Sequence, residues 1–520
     1  MEPNSHISPF ISEHADLKVG LNQLGLRNAP EMLFTALLRG LNNVTARIRY
    51  YSFYCWLMDA FCSPHASVDP KQQPKFIRKA EYLLALIQTQ TNDSLGIPGI
   101  NYASAKASDP GTSSFDLQKG TYNESGGTRT GTYFANPGGV FAQYYARSLN
   151  DIKLIGENEV SKRDKLYVAS NGEGYLNGKT LANAFAASIG AESITLFLQC
   201  VDAGVVSRDQ LNSLKESFRM KSFAGAEEER DLLIQLLLQE DFRASDEVTY
   251  YRKNTLLLFL EYIKNQPGKD HNVDFPKYVY QQYLKAPSED PVYAGWYAYY
   301  LDDNYQYQAS ILLKNILGVL NADPYKDLWV DLGSLVQEMA QGITDVLSSQ
   351  GYSGTVEQMC SLLKDGEPQW LQDRGTYPAM AEALLNLFYQ TTVNEPYLES
   401  IRDIQARYFA MNGMDDFSRF IQLCKEQAQR PLEDFIRDFL EKQIIRKHFR
   451  VAMRKYHQTG IASYKFLLED GYIRFLDGVE ATHMDSRIDT VADFLRELEL
   501  YDKDGLLPLG KECLELEGRL

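Results

Sequence analysis

From residue 276 to 457 apolar side chains recur at helical spacing almost without a break, and this run constrains the fold more than any other feature. The interruptions fall at 287–291, 323–324, 351–354, 366–368 and 394–396, where Pro and Gly end helices. The same period predicts a helix opened by Pro30 and Glu31 and stopped at Gly40. Further helices are expected at about 44–61, 75–90, 140–150, 180–202, 207–219, 227–240 and 250–265. Strand-like runs are few: KLYVA (165–169) and YIRFL (472–476). The expected fold is mainly α, a multi-domain helical protein with one or two small winged-helix-like modules.

No period of 20–50 residues recurs across the helical middle, so a regular solenoid is not indicated. A weaker two-copy similarity is present. VFAQYYARSLNDIKLI leads through KLYVA to YLNGKTLANAF (140–185), and TVADFLRELELYDKDG leads to LLPLGKECLEL (490–516). Each reads as an amphipathic helix, a Leu-rich end, a polar turn, then Gly-Lys and a new helix. A helix, a hairpin wing and a closing helix would read this way; so would two unrelated helix–turn–helix corners. Residues 91–139 are rich in Gly, Ser, Thr and Asn and lack periodicity. The predicted organisation is an N-terminal helical part (1–90), an irregular insert (91–139), a winged-helix-like module (140–205), a helical body (206–460) and a C-terminal winged-helix-like module (461–520).

The 520 residues carry a net charge of −16, which argues against a chain that coats nucleic acid or anionic membrane by bulk electrostatics. The N-terminus shows no basic segment followed by an apolar run, and the longest apolar stretches, 232–238 and 255–260, fall far short of the roughly 20 residues a membrane span needs. Six scattered Cys without a CxxC pair fit a reducing compartment. A cytoplasmic protein without a membrane segment is expected.

Catalytic signatures are not found. NGEGYLNGKT (171–180) approaches a phosphate-binding loop, but the first Gly of that motif should stand at 173, which is Glu173. Cys55, Cys62 and His65 lack an evident fourth ligand, and Cys55 lies in an apolar aromatic helix. There is no G-x-S-x-G elbow and no H-E-x-x-H, and the doublets Asp302-Asp303 and Asp415-Asp416 read as solvated helix starts. No catalytic residue, cofactor or metal is predicted. The stripe Tyr293, Trp296, Tyr297, Tyr300 is read as core.

The segment KQIIRKHFRVAMRKYH (442–457) is more informative. It holds Lys442, Arg446, Lys447, Arg450, Arg454 and Lys455 and no acid. Arg446, Arg450 and Arg454 recur every four residues and share one helix face, a row suited to phosphates or to a partner's carboxylates. Balance by acidic neighbours elsewhere in the fold is the alternative. The C-terminal stretch 466–520 is the opposite, with 6 Lys/Arg against 14 Asp/Glu, and suits a protein contact better than DNA. In the N-terminal part Arg47 and Arg49 do not share a helix face. A buried pair with a carboxylate is expected for at least one of them, and a partner contact is the alternative. Thr45 is expected to cap the helix that follows.

LLRGLNNVTARIRYYSFYCWLMDAF (37–61) contains Gly40, Thr45, Arg47, Arg49, Tyr50, Tyr51, Phe53 and Trp56. With VAMRKYHQTGIASYKFLLEDG (451–471) and LPLGKE (507–512) it resembles the end motifs of uncharacterised bacterial helical proteins found in mobile-element and phage-defence gene clusters. The resemblance touches only the two ends of the chain. It implies a context, in the company of ATPases or nucleases, and not a reaction. Taken with the missing catalytic signatures, the winged-helix-like corners and the basic helix, the expectation is a non-catalytic subunit or adaptor of an antiviral defence complex, working with other protein subunits such as an ATPase or nuclease and with duplex DNA as a further contact. A DNA-binding regulator or loader is the first alternative, and an unrecognised nuclease or other hydrolase the second.

Overall fold

The computed structural model describes residues 22–519 except 46, 63–68, 92–95, 160–164, 173–175, 239–246, 270, 365, 372–374 and 412; of 158, 159 and 247–249 it describes the backbone. The fold is mainly α with short antiparallel strand pairs. It divides into two compact units. One is Thr35–Phe275 with Asp485–Leu520; the other is the described part of Met1–Phe34 with Pro276–Met484. Of the predicted 461–520 module, residues up to 484 therefore lie in the second unit and the rest in the first.

The first unit is organised around the helix Tyr50–Cys62, whose residues from Tyr50 to Met58 are all buried. Its aromatic side chains make a ring cluster: Phe53 and Trp56 meet Phe185, Trp56 meets Phe197, and Tyr54 meets Phe141 and Tyr145. The helix starts at Tyr50 and not near 44. Gly40 has φ +84°, and Asn42 accepts the Val44 amide at 2.9 Å, so the chain turns before it coils. Thr45 does not cap the helix; its hydroxyl donates back to the Asn42 carbonyl at 3.0 Å. The helix expected over 180–202 is two helices, Gly178–Ile189 and Ala191–Ala203, broken at Gly190 (φ +85°) and bent by 103°.

The Gly- and Ser-rich insert is held by two side chains of the Gln73–Gln88 helix, one turn apart. Arg78 is fully buried and donates to the carbonyls of Thr121 (2.6 Å), Phe134 (2.9 Å) and Asn136. Glu81 accepts the amides of Val140 (2.9 Å) and Phe141 (2.7 Å) and the hydroxyls of Tyr54 and Tyr133. The insert read as irregular holds the helices Ile100–Ala107 and Leu117–Thr121 and the strand Ser114–Asp116. The carbonyls at its last helix end and loop, and the amides that open the next helical run, are paired by Arg78 and Glu81.

The two sequence copies share a backbone pattern. In the first, the helix Ala146–Asp151 runs into the hairpin Ile155–Glu159/Lys165–Ala169 and the helix Gly178–Ile189. In the second, Ile488–Glu497 runs into Tyr501–Asp502/Gly505–Leu506 and Pro508–Leu516. Lys153 and Glu499 both turn at φ +60°. The next amides, Leu154 and Leu500, return to the carbonyls of Leu149 (2.9 Å) and Leu495 (3.0 Å).

In the second unit the 30-residue helix Pro291–Leu320 is the axis, flanked by Thr376–Asn394 and Leu398–Phe409. Trp296 and Tyr297 of the aromatic stripe are buried, with Tyr297 stacked on Tyr283 at 4.2 Å. A three-stranded antiparallel sheet has Tyr472–Phe475 between Val330–Asp331 and Phe466–Glu469. Among the described residues no single helix is long and apolar enough to cross a membrane.

Candidate anion-binding cleft

The basic segment folds as the end of one long helical run in the second unit. The helix Leu432–Phe439 passes through a wider turn at Leu440–Ile445 into the helix Arg446–Thr459, which Gly460 ends at φ +69°. Its buried side includes Val451 and Ala452, with Phe449 and Tyr456 packed beside Ala462 and Tyr464. His448 pins it. The Lys465 amide donates to Nε2 at 3.1 Å, which leaves Nδ1 to donate to the Gln23 carbonyl at 3.1 Å. Burial lowers the His448 pKa to about 4, so the ring is neutral at pH 7 and serves as a fixed two-ended connector.

The six cations meet different fates. Lys442 pairs with Asp438 at 2.7 Å, Arg446 with Glu441 at 2.7 Å, and Lys447 with Asp415 at 2.6 Å. Lys455 donates to the Asn22 carbonyl at 2.9 Å; burial, and then the charges of Arg454 and Arg27, lower its pKa. Arg450 and Arg454 are exposed and have no acidic partner among the described residues. The even row of three arginines in the sequence therefore becomes a pair, one turn apart.

These two arginines line a cleft of about 540 Å³. Its walls are Leu24, Gly25, Asn28 and Ala29 on one side, Gly413–Asp415 on another, and Lys447, Arg450, Val451 and Arg454 along the helix. Asn28 and Ala29 are the first residues of the helix Asn28–Leu37, the end whose amides face outward and carry partial positive charge. Because Asp415 is taken up by Lys447, the cleft keeps the charge of two guanidiniums.

The acidic wall is fixed from behind. Asp416 caps the helix Phe417–Glu426 by accepting the Ser418 amide at 3.0 Å. Asp302, buried on the central helix, accepts the Phe417 amide at 2.9 Å and the Gln405 side chain at 3.3 Å. Burial raises both carboxyl groups, Asp302 well above its ordinary value, and the charge of Asp416 adds to the effect on Asp302. Arg27, near the opposite wall, donates to the Thr482 carbonyl (3.2 Å) and hydroxyl (2.7 Å) and to Gln306 (3.4 Å). Asn28, Ala29 and the Gly413–Asp415 turn carry no sequence signal for this site; they converge on it only in three dimensions.

Arg47, Arg49, Cys55, Trp56 and Lys179 lie in the first unit. Arg49 is bidentate on Glu229 (Nε–Oε1 3.1 Å, Nη2–Oε2 2.9 Å) and also donates to the Ser222 carbonyl at 2.9 Å. Ser52 and Ser188 complete the shell of Glu229. Arg47 pairs with Glu497, whose second oxygen accepts the Ile48 amide at 3.3 Å. Trp56 is in the ring cluster. Cys55 is buried, and burial pushes its thiol far up, which removes it as a ready ligand. His65 and Glu173 lie outside the described residues. Gly178 and Lys179 are described; the Lys179 ammonium sits 2.6 Å from Asp59. Among the described residues no cluster of three metal-ligating side chains occurs.

The chain matches no known family model, no curated protein and no solved structure.

Proposed function

We propose that the chain is a non-catalytic adaptor subunit of a bacterial antiviral defence complex, cytoplasmic, acting through protein contacts and one contact with DNA phosphate. The observation that supports it is where the cations go. Arg47, Arg49 and Arg78 are spent inside the first unit on carboxylates and carbonyls, whereas Arg450 and Arg454 stand exposed, without an acidic partner among the described residues, in a chain of net charge −16. The end-motif resemblance supplies the defence context. The helix–hairpin–helix copies are read as winged-helix-like modules. The second copy ends in exposed Glu512, Glu515 and Leu516, a surface suited to a basic protein partner such as the ATPase or nuclease subunit of the complex.

Affinity purification of the chain from its native host tests the adaptor reading: stable, stoichiometric co-purification with neighbouring gene products is expected, and a strictly solitary chain would overturn it. DNA contact is tested by duplex binding at low salt with the chain and with Arg450→Glu/Arg454→Glu. Binding that the double variant leaves unchanged would reject this surface.

A hydrolase has one observation in its favour. Asp303 Oδ2 accepts from His483 Nδ1 at 2.7 Å, while its other oxygen accepts the Met484 amide at 2.8 Å, and the imidazole stacks on Tyr307 at 3.9 Å. This orients Nε2 as a base. Metal-free and metal-supplemented turnover assays with His483→Ala decide it: turnover that this variant abolishes would replace the adaptor reading.

A further inference from the structure

Within the adaptor reading, on whose DNA contact this rests, we infer that the cleft beside Arg450 and Arg454 recognises a terminal phosphate monoester, as carried by a nucleotide or by the 5′ end of a nucleic-acid strand.

The first argument is shape. A ligand cleft of roughly 300–1,000 Å³ holds a small molecule or a single residue of a polymer. The cleft of about 540 Å³ is in that range, and three segments line it: Leu24, Gly25, Asn28 and Ala29; Gly413–Asp415; and the helix itself. A duplex presents a broad convex backbone, and the neighbouring cations that could extend a contact along it, Lys442 and Arg446, are already paired with Asp438 and Glu441. A chain end or a free nucleotide enters such a recess; an internal phosphodiester within a duplex is held outside it.

The second argument is charge. Arg450 and Arg454 are separated by one helical turn and carry fork-shaped donors that match phosphate oxygens. The Lys447 side chain, nine-tenths buried, holds Asp415 at 2.6 Å and so prevents a free carboxylate from opposing an anion in the cleft. The helix Asn28–Leu37 begins at the same cleft, but Pro30 has no amide hydrogen and Glu31 puts a carboxylate in that turn, so the two guanidiniums carry the charge argument. Lys455, beside Arg454 in sequence, lies close enough to both Arg454 and Arg27 to feel their charges. A monoester dianion gains more from such a concentration of positive charge than a diester monoanion does.

The test is competition and direct binding with the full chain. Fluorescence anisotropy of a labelled single-stranded oligonucleotide is measured with a 5′-phosphate and with a 5′-hydroxyl, and adenosine monophosphate and inorganic phosphate are used as competitors. The 5′-phosphate is expected to bind at least about tenfold more tightly, the scale of one charge-assisted hydrogen bond. Arg450→Gln/Arg454→Gln is expected to abolish the preference, while Arg446→Gln, which lies outside the cleft, leaves it intact. Circular dichroism and thermal melting of each variant verify folding. Adenosine monophosphate binding without oligonucleotide binding supports the cleft and assigns it to free nucleotides. Equal affinity for both ends, with no competition by either small phosphate, overturns the inference. If duplex binding is nonetheless lost in Arg450→Glu/Arg454→Glu, the DNA contact of the adaptor reading stands and only the terminal-phosphate assignment fails.

Discussion

Gly178 and Gly510 occupy the same position in two copies of one turn. A Cβ at Gly178 would lie 2.0 Å from the Leu154 carbonyl oxygen, and a Cβ at Gly510 would lie 2.1 Å from the Leu500 carbonyl oxygen. In both copies that carbonyl also accepts the amide that follows the hairpin, Ser170 at 2.9 Å and Leu507 at 3.0 Å. The helix after the hairpin therefore crosses the backbone that precedes it, with no room for a side chain.

The first prediction follows from that crossing. Gly178→Ala and Gly510→Ala should each destabilise the first unit by about 1–3 kcal/mol, because the obstructing atom is backbone and cannot swing away. Urea denaturation followed by circular dichroism measures this. A substitution without effect at either position would show that the helix can shift to make space.

How much of this was legible in the sequence depended on whether a pattern is local. The Gly-Lys recurrence pointed to a shared turn, and the backbone pattern of the two copies agrees, because a close approach restricts the residue type locally. The helical body is legible for the same reason: periodicity is a property of neighbours. The helix start at Tyr50 was not, since Val44 and Thr45 fit a helical pattern and are diverted by the Asn42 turn. The fate of the basic row was also hidden. Glu441 and Asp438 lie close by in sequence, but Asp415 reaches Lys447 only through the fold, and Asn28 and Ala29 line the cleft although they stand more than 400 residues before Arg450.

Arg49 and Glu229 give a second prediction. Arg49→Met leaves a buried carboxylate without its cation, with only Ser52 and Ser188 near it, and should cost about 3–5 kcal/mol. The double variant Arg49→Met/Glu229→Leu should recover a substantial part, because it removes the stranded charge as well. Chemical denaturation of the three proteins makes the comparison; a double variant no more stable than Arg49→Met would show that the packing of the arginine stem, and not the ion pair, is what matters.

Glu81 makes a third. It accepts two amides and two tyrosine hydroxyls, and Glu81→Gln turns one acceptor into a donor facing donors. The expected cost is about 1–3 kcal/mol for a buried group left without its partner. Hydrogen exchange should localise it: the amides of Val140 and Phe141 and the preceding insert lose protection, while the Tyr50–Cys62 helix keeps it. Uniform loss of protection across the unit would instead place Glu81 in its global core.

The paired and unpaired cations of the Arg446–Thr459 helix should separate in a salt titration. If Arg450 and Arg454 share one DNA phosphate, replacing either by Gln should reduce the slope of log affinity against log salt by up to about 0.9. Lys442→Gln and Arg446→Gln should change it less, since Glu441 pairs with Arg446 and Asp438, which Lys442 shares with Arg430 and Arg437, offsets part of the other charge. Equal loss from all four substitutions would mean that the acids release their partners on binding.

The last prediction concerns pH. Glu497 is buried beside Arg47, and burial outweighs the hydrogen bonds from Arg47 and Ile48, so its pKa rises to about 7. Between the ordinary carboxyl range and pH 7 the folded state therefore holds a proton that the unfolded state has released. Stability from this group is fully present below about pH 4.5 and is lost as pH rises toward about 7, with a size on the order of 2–3 kcal/mol. Glu81 shifts in the same direction and adds to the slope. Glu497→Gln removes the titration while keeping a polar partner for Arg47. Denaturation at pH 5 and at pH 8 should accordingly show a smaller difference for the variant than for the parent chain. An unchanged difference would mean that the ion pair with Arg47 keeps Glu497 charged across the whole range and that other buried acids set the slope.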